Sequence, residues 1–157
     1  MSTLQISAGL LMYRFHEGRL QVLLAHPGGP FFRNKDDGAW SVPKGEVEPG
    51  EDVFFAAQRE FQEETNVVPM GPFIALTPVR QKGGKIVHAW AFQGDCDAEA
   101  IVSNTFTLEW PPRSGKQREF PEIDRANFWN LSEAKVKINP GQVALLDELE
   151  QLVKRES

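Results

Sequence analysis

Residues 45–67 read GEVEPGEDVFFAAQREFQEETNV, and this stretch constrains the chain more than any other. Pro43, Gly45, Pro49 and Gly50 impose a tight loop path, and from Glu51 to about Thr65 the spacing predicts a helix. Phe54, Ala57 and Phe61 recur on one side, Glu51 and Asp52 fall in the expected first turn where the helix dipole favours anions, and Asn66 and Pro69 end the run. At about 100° per residue, Glu60, Glu63 and Glu64 share a second face beside the apolar one. The fold must therefore bury one side of this helix and leave three carboxylates at its rim.

The flanking sequence supplies the surface against which such a helix packs. ISAGLLMYRF and RLQVLLAH, separated by Glu17-Gly18, read as a β-hairpin. Residues 27–38 are a Pro/Gly-rich loop leading to a short strand, AWSVP. PFIALTPVRQ and KIVHAWAFQG read as a second hairpin through Gly83-Gly84, and a polar stretch separates them from TFTLEW. Residues 111–124 read as a Pro-rich charged loop, RANFWNL as a last strand, and QVALLDELEQLV as an amphipathic terminal helix carrying Val143, Leu145, Leu146, Leu149 and Leu152. The order β-β-β-α-β-β-β-α is too irregular for a doubly wound parallel sheet, so the expected class is an α+β sandwich forming one domain over residues 1–157.

Charge and composition narrow the function. The net charge of −5 creates no general field for a polyanion, so a nucleic-acid scaffold role is not expected and would require a local basic patch. An anionic substrate must be met by local cations or by metal. Cys96 is the only cysteine, no apolar run approaches a membrane span, and the start of the chain lacks a basic leader, so a cytoplasmic protein without a membrane partner is expected. Oligomeric state is not legible.

Like charges three and four residues apart cost roughly 0.2–0.5 kcal/mol per pair on an exposed helix, so the Glu60/Glu63 and Glu60/Glu64 pairs call for a cation. Hard oxygen donors without Cys or His at ligand spacing suit Mg²⁺, Mn²⁺ or Ca²⁺. A solvated acidic face partly neutralised by Arg59 is the competing reading, and no EF-hand loop is present.

Gly45, five residues, Glu51, seven residues and then REFQEETNV resemble the signature box of the Nudix hydrolases. The departure is Asn66 where that family has Gly, at a helix end whose left-handed conformation Asn tolerates. The resemblance implies a Nudix-type α/β/α sandwich with a mixed central sheet. It further implies metal-dependent hydrolysis of a nucleoside diphosphate linked to another group, with Mg²⁺, or alternatively Mn²⁺, as cofactor. By matched position Glu60, Glu63 and Glu64 would hold the cations, the Gly45 carbonyl would add a ligand, and Arg59 would orient carboxylates, Glu51 among them. Glu64 and Glu63 are the candidates for the general base. A further acidic ligand or base in a late loop would be Glu122 or Glu119.

Lys44, Arg80 and Arg113 are candidate phosphate-binding cations, and Phe31, Phe32, Trp40, Trp90 and Trp110 are either core or base-stacking groups. His26 and His88 read as packed or surface histidines. WSVPKGEVEPGED resembles the branch acting on diadenosine polyphosphates, although the tyrosine expected about 16 to 18 residues beyond the box in part of that branch is absent. The expected small-molecule substrates are dinucleoside polyphosphates or nucleoside triphosphates. A Nudix-fold module that binds nucleotide without cleaving it is the alternative.

Overall fold

The computed structural model describes residues 5–156; residues 1–4 and 157 of the expected domain lie outside it. In chain order the strands are β1 (Ile6–His16), β2 (Arg19–Pro27), β3 (Lys44–Glu46), β4 (Ile74–Ala75), β5 (Val79–Arg80), β6 (Ile86–Gln93), β7 (Thr105–Glu109), β8 (Gln117–Pro121) and β9 (Ile123–Asn130). The helices are α1 (Val53–Thr65), α2 (Leu131–Lys137) and α3 (Val143–Glu156). None of the described helices is long and apolar enough to cross a membrane.

β1 is the hub of a mixed seven-stranded sheet. It runs parallel to β6 on one side; on the other it pairs antiparallel with β3 near its start and with β2 near its end. β9 extends the sheet beyond β2, and β4 and β5 edge β6. The expected first hairpin forms, with Glu17 and Gly18 both at positive φ (52° and 77°), the twist that a two-residue turn needs.

Period-2 alternation along β1 feeds two separate cores. Ala8, Leu10 and Met12 face α1 and pack with Ala56, Ala57, Phe61 and Phe92, while Leu11 and Tyr13 face the other way with Ala89, Leu145, Leu146 and Leu149. This is the expected three-layer α/β/α arrangement. Phe61 is fully buried, so its side chain alone contributes roughly 1.5–3 kcal/mol of apolar transfer.

Helix α1 starts two residues later than the spacing suggests. Asp52 is its cap and accepts a hydrogen bond from the Phe55 amide (2.9 Å), so neither Asp52 nor Glu51 lies in the first turn; Glu51 is free to reach elsewhere. Phe54 packs at the rim of the α1 core against Phe73 and Trp90. Asn66 ends the helix in the left-handed conformation (φ 60°, ψ 25°), and its amide donates to the Gln62 carbonyl.

Four elements differ from the sequence reading. AWSVP makes only isolated bridges at Trp40 and Ser41, because Pro43 lacks an amide donor, and the paired strand begins at Lys44. The first arm of the second hairpin is broken into β4 and β5 around Pro78. Residues 111–124 are not one loop: β8 pairs with β7 in a two-stranded arm outside the main sheet, its strand character hidden because Phe120 is its only buried residue. Helix α2, seven residues long, is too short to display a period.

Asn66→Gly should change stability by no more than a few tenths of a kcal/mol. Asn66→Val should cost about 1–2 kcal/mol, because a β-branched residue is forced into the left-handed region; urea unfolding of both variants checks this.

Candidate active site

Strand β3 brings its backbone against the carboxylate face of α1. A Cβ on Gly45 would run into the Glu60 carboxylate, so only glycine permits this approach. Arg59 braces the neighbouring carboxylates. Its Nε and Nη2 donate to the two oxygens of Glu51 (2.7 and 2.9 Å), and its Nη1 donates to Glu60 Oε1 (2.9 Å) and Glu63 Oε2 (3.2 Å). Glu51 also accepts from the Glu48 amide (3.0 Å), so the loop before α1 is tied to the helix. Glu64 is held differently: its Oε2 accepts the Lys44 amide (3.0 Å).

The electrostatics divide the cluster into compensated and uncompensated groups. The Arg59 guanidinium, helped by the Glu48 amide, holds the Glu51 carboxyl down at about 2, and Arg59 itself is shifted upward by Glu51. Glu60 is pushed up by burial in spite of Arg59. Glu64 is pushed well up by burial and by the charges of Glu60 and Glu122. Glu122 is raised by burial and by Glu63, and the Lys44 ammonium is lowered by burial and by Lys85.

Glu122 arrives from the turn between β8 and β9. Its amide donates to the Asn104 carbonyl (2.8 Å) and its carbonyl accepts from the Gly28 amide (2.9 Å), which pins three loops together beside α1. Lys44, Glu64 and Glu122 line a cavity of about 170 Å³ closed by Pro27 and Val42. A separate open cleft of about 700 Å³ is walled by Phe55, Gln58, Gln62 and Val102, with Arg59 and Glu63 also in its lining.

Of the residues singled out from sequence, Lys44, Gly45, Arg59, Glu60, Glu63, Glu64 and Glu122 are therefore brought together. Arg80 and Arg113 are not. Arg80 pairs across to Ile86 at the sheet edge, Arg113 sits in the β7–β8 turn at φ 62°, and neither makes a hydrogen bond or ion pair with the carboxylates. Glu119 points away and accepts the Thr105 hydroxyl. His26 is a packed histidine between Asp124 (2.8 Å) and the Lys35 carbonyl (2.7 Å). One positioning residue escaped the sequence reading. Gln142 is fully buried, and its Oε1 accepts the Val42 amide (3.0 Å) two residues before Lys44; a lone glutamine in a polar stretch carries no signal of this.

The donors are carboxylate and peptide oxygens, a set suited to a hard divalent cation. Among the described residues no three acidic or imidazole side chains already converge at ligand spacing, because Arg59 draws Glu60 and Glu63 toward itself while the Lys44 amide holds Glu64. Loading a cation would require those carboxylates to turn from Arg59.

The sandwich and the loop–helix carboxylate cluster have a counterpart in one domain family, since the NUDIX domain profile matches residues 3–149. The chain belongs to the NUDIX family. It is similar to the asymmetrical bis(5′-nucleosyl)-tetraphosphatase of Caenorhabditis elegans, 41% identical over 61 residues, or 39% of this chain and 40% of that protein. It is also similar to the RNA pyrophosphohydrolase of Rhodopseudomonas palustris, 44% identical over 46 residues, or 29% of this chain and 28% of that protein. Thus the chain spans less than half the length of either relative. The C. elegans Ap4A hydrolase in a binary complex shares the fold with a TM-score of 0.66 at 22% identity, covering 94% of this chain and 98% of that one.

Two opposing pH dependences follow. Glu51 is depressed, so its contribution is full above the ordinary value of 4.5 and is lost as pH falls toward about 2. Glu60, Glu64 and Glu122 are raised, so the folded state keeps their protons longer than the unfolded chain does, and stability falls as pH rises above 4.5. In EDTA the melting temperature should peak in mildly acidic buffer. Mg²⁺ should raise it more at neutral pH than near 4.5, as circular dichroism melts would show.

Proposed function

We propose that this chain hydrolyses pyrophosphate linkages in nucleoside diphosphates that carry a further group, with dinucleoside polyphosphates and nucleoside triphosphates as its substrates. The observation that carries this reading is the carboxylate face of α1, crowded against the Gly45 backbone and braced by one arginine. The activities named for the two relatives, a tetraphosphatase and a pyrophosphohydrolase, support it.

Glu60, Glu63, Glu64 and the Gly45 carbonyl would hold Mg²⁺ or Mn²⁺. When bound, the cation neutralises phosphate charge and lowers the pKa of water in its coordination shell. Arg59 keeps Glu51 and the loop before α1 in register with the helix, so that the Gly45 backbone stays opposite Glu60. Glu64 is the stronger candidate for the base: its Oε2 is occupied by the Lys44 amide, its Oε1 remains to take a proton, and burial gives it affinity for one. Glu63, 41% exposed at the edge of the larger cleft, is the alternative. Lys44 and Glu122 line the cavity next to Glu64 and would meet the phosphate chain there, whereas Arg80 and Arg113 would reach only distal parts of a substrate.

Glu63→Gln and Glu64→Gln should each lower kcat by at least about 100-fold while leaving the circular dichroism spectrum unchanged. Near-normal turnover in both would remove the assignment. A panel of dinucleoside polyphosphates, nucleoside triphosphates, ADP-ribose, NADH and nucleotide sugars, assayed with Mg²⁺ and with Mn²⁺, ranks substrates by kcat/KM. Nucleotide binding with no product from any member would instead make this a recognition module.

A further inference from the structure

His26 is fully buried and takes no part in the hydrolysis proposed above, yet both of its ring nitrogens are engaged. Nδ1 lies 2.8 Å from Asp124 Oδ1, and Nε2 lies 2.7 Å from the Lys35 carbonyl oxygen. A carboxylate and a carbonyl are both acceptors, whereas a neutral imidazole donates from one nitrogen and accepts at the other. A neutral ring would therefore set a lone pair against an oxygen at one of the two contacts. Protonated on both nitrogens it satisfies both, and the Asp124 carboxylate compensates the buried charge.

The charged groups around the ring are few. Arg125 pairs across from His26 on β9, and its guanidinium lies 5.2 Å from the Trp40 ring centre. Trp40 packs edge to face on His26 at 5.2 Å and donates its indole N–H to Asp36 (2.9 Å). Asp36 and Asp37 are paired with Lys137 of α2, and the Lys35 ammonium lies over Phe32. Among the described residues, Asp124 is thus the only acid bonded to the ring.

This contact sits at a break in the sheet. β2 and β9 pair residue for residue from Gln21–Asn130 to His26–Arg125, and then Pro27 pairs with Ile123, so Asp124 is an extra residue without a cross-strand partner. Such a bulge bends its strand and re-aims the neighbouring side chains. Pro27, with no amide to donate, tolerates the break, and His26 captures the side chain of the bulged residue. Two residues before the bulge stands Glu122, in the cavity that it shares with Lys44 and Glu64 and that Ala25 and Pro27, the neighbours of His26, also line. The Glu122 carbonyl accepts the Gly28 amide, where a Cβ on Gly28 would run into the Pro121 carbonyl. The Ser103 hydroxyl bonds both the amide and the carbonyl of Ile123 (3.0 and 3.2 Å). One corner of the fold thus presents Glu122, and His26 ties that corner to the loop after β2 through the Lys35 carbonyl.

We propose that His26 is a positioning residue: as an imidazolium it clamps the Asp124 bulge to the loop after β2 and so holds Glu122 beside Glu64, and loss of its proton releases the clamp and lowers turnover. This deepens the pyrophosphatase reading and rests on it for the part that Glu122 plays. The ring is fully buried and does not line the cavity, so it acts through Asp124 and not on the substrate.

The test uses the full chain labelled with ¹⁵N. Multiple-bond ¹H–¹⁵N spectra read the proton on each nitrogen of the His26 ring, whose signals are identified by their absence in His26→Gln. They are recorded in EDTA without nucleotide while pH is raised across the range in which a nucleoside triphosphate is hydrolysed with Mg²⁺. Both nitrogens should read as protonated while the Gly28 and Glu122 amides hold their shifts. As the ring loses a proton those amides should move in step, and kcat should fall over the same interval. His26→Gln should lower kcat at least about tenfold at the wild-type optimum and remove that step from the pH profile. Asp124→Asn, which keeps an acceptor oxygen but loses the charge, should move the step to lower pH; together with the wild-type titration it decides the matter even if His26→Gln does not fold. A neutral ring with the Gly28 and Glu122 amides unmoved, or wild-type pH profiles in the variants, would overturn the clamp and leave the hydrolase reading standing. Absence of turnover with any nucleotide would remove the hydrolase reading, while the amide shifts would still show whether the clamp exists.

Discussion

The Arg59 guanidinium is the contact on which the candidate site depends. One planar group with several donors in a fixed fork engages Glu51 bidentately from the loop before α1 and Glu60 and Glu63 from the helix itself. A lysine could supply the charge but not this geometry. The like-charge cost of the Glu60 pairs, roughly 0.2–0.5 kcal/mol each, is small enough for this one group to offset. What Arg59 does not reach remains uncompensated: Glu64 and Glu122 approach each other and Glu60 with their carboxyls pushed up by burial. The cluster is thus stable enough to fold and still short of positive charge at one side.

A second chain of contacts fixes that deficient side. Gln142, immediately before α3, is buried and anchors the Val42 amide; Pro43 follows, its carbonyl accepting the Leu10 amide of β1; and the Lys44 amide then holds Glu64. The rotamer of Glu64 is therefore set from the opposite layer of the sandwich through the short strand β3. The central position of β1 makes this possible, because it pairs with β3 and β6 at once and sends alternate side chains into both cores.

The loop, α1 and its three glutamates were legible because they rest on local rules: helical period, turn residues and the left-handed tolerance of Asn66. Glu122 was reachable only through resemblance, since it joins the cluster by way of the Gly28 and Asn104 loops, about 95 and 20 residues away in the chain. Gln142 and the Lys44 amide left no trace at all. A buried amide and a backbone donor have no compositional signature, and their roles exist only once β3 is paired. The β8 strand was obscured for a different reason: outside the main sheet it needs little apolar alternation, so its charged residues read as loop.

Net charge illustrates the same limit. A value of −5 argues against polyanion partners only if the charges are evenly mixed, and here they are not. Glu51, Glu60 and Glu63 gather around Arg59 at α1, and Asp36 and Asp37 pair with Lys137, while among the described residues Arg113, Lys116 and Arg118 of the β7–β8 arm form no ion pair. A single net charge therefore says little about what a phosphate group would meet at any one face. The carboxylate face would repel phosphate unless a cation offset its charge, which is the part proposed above for Mg²⁺ or Mn²⁺.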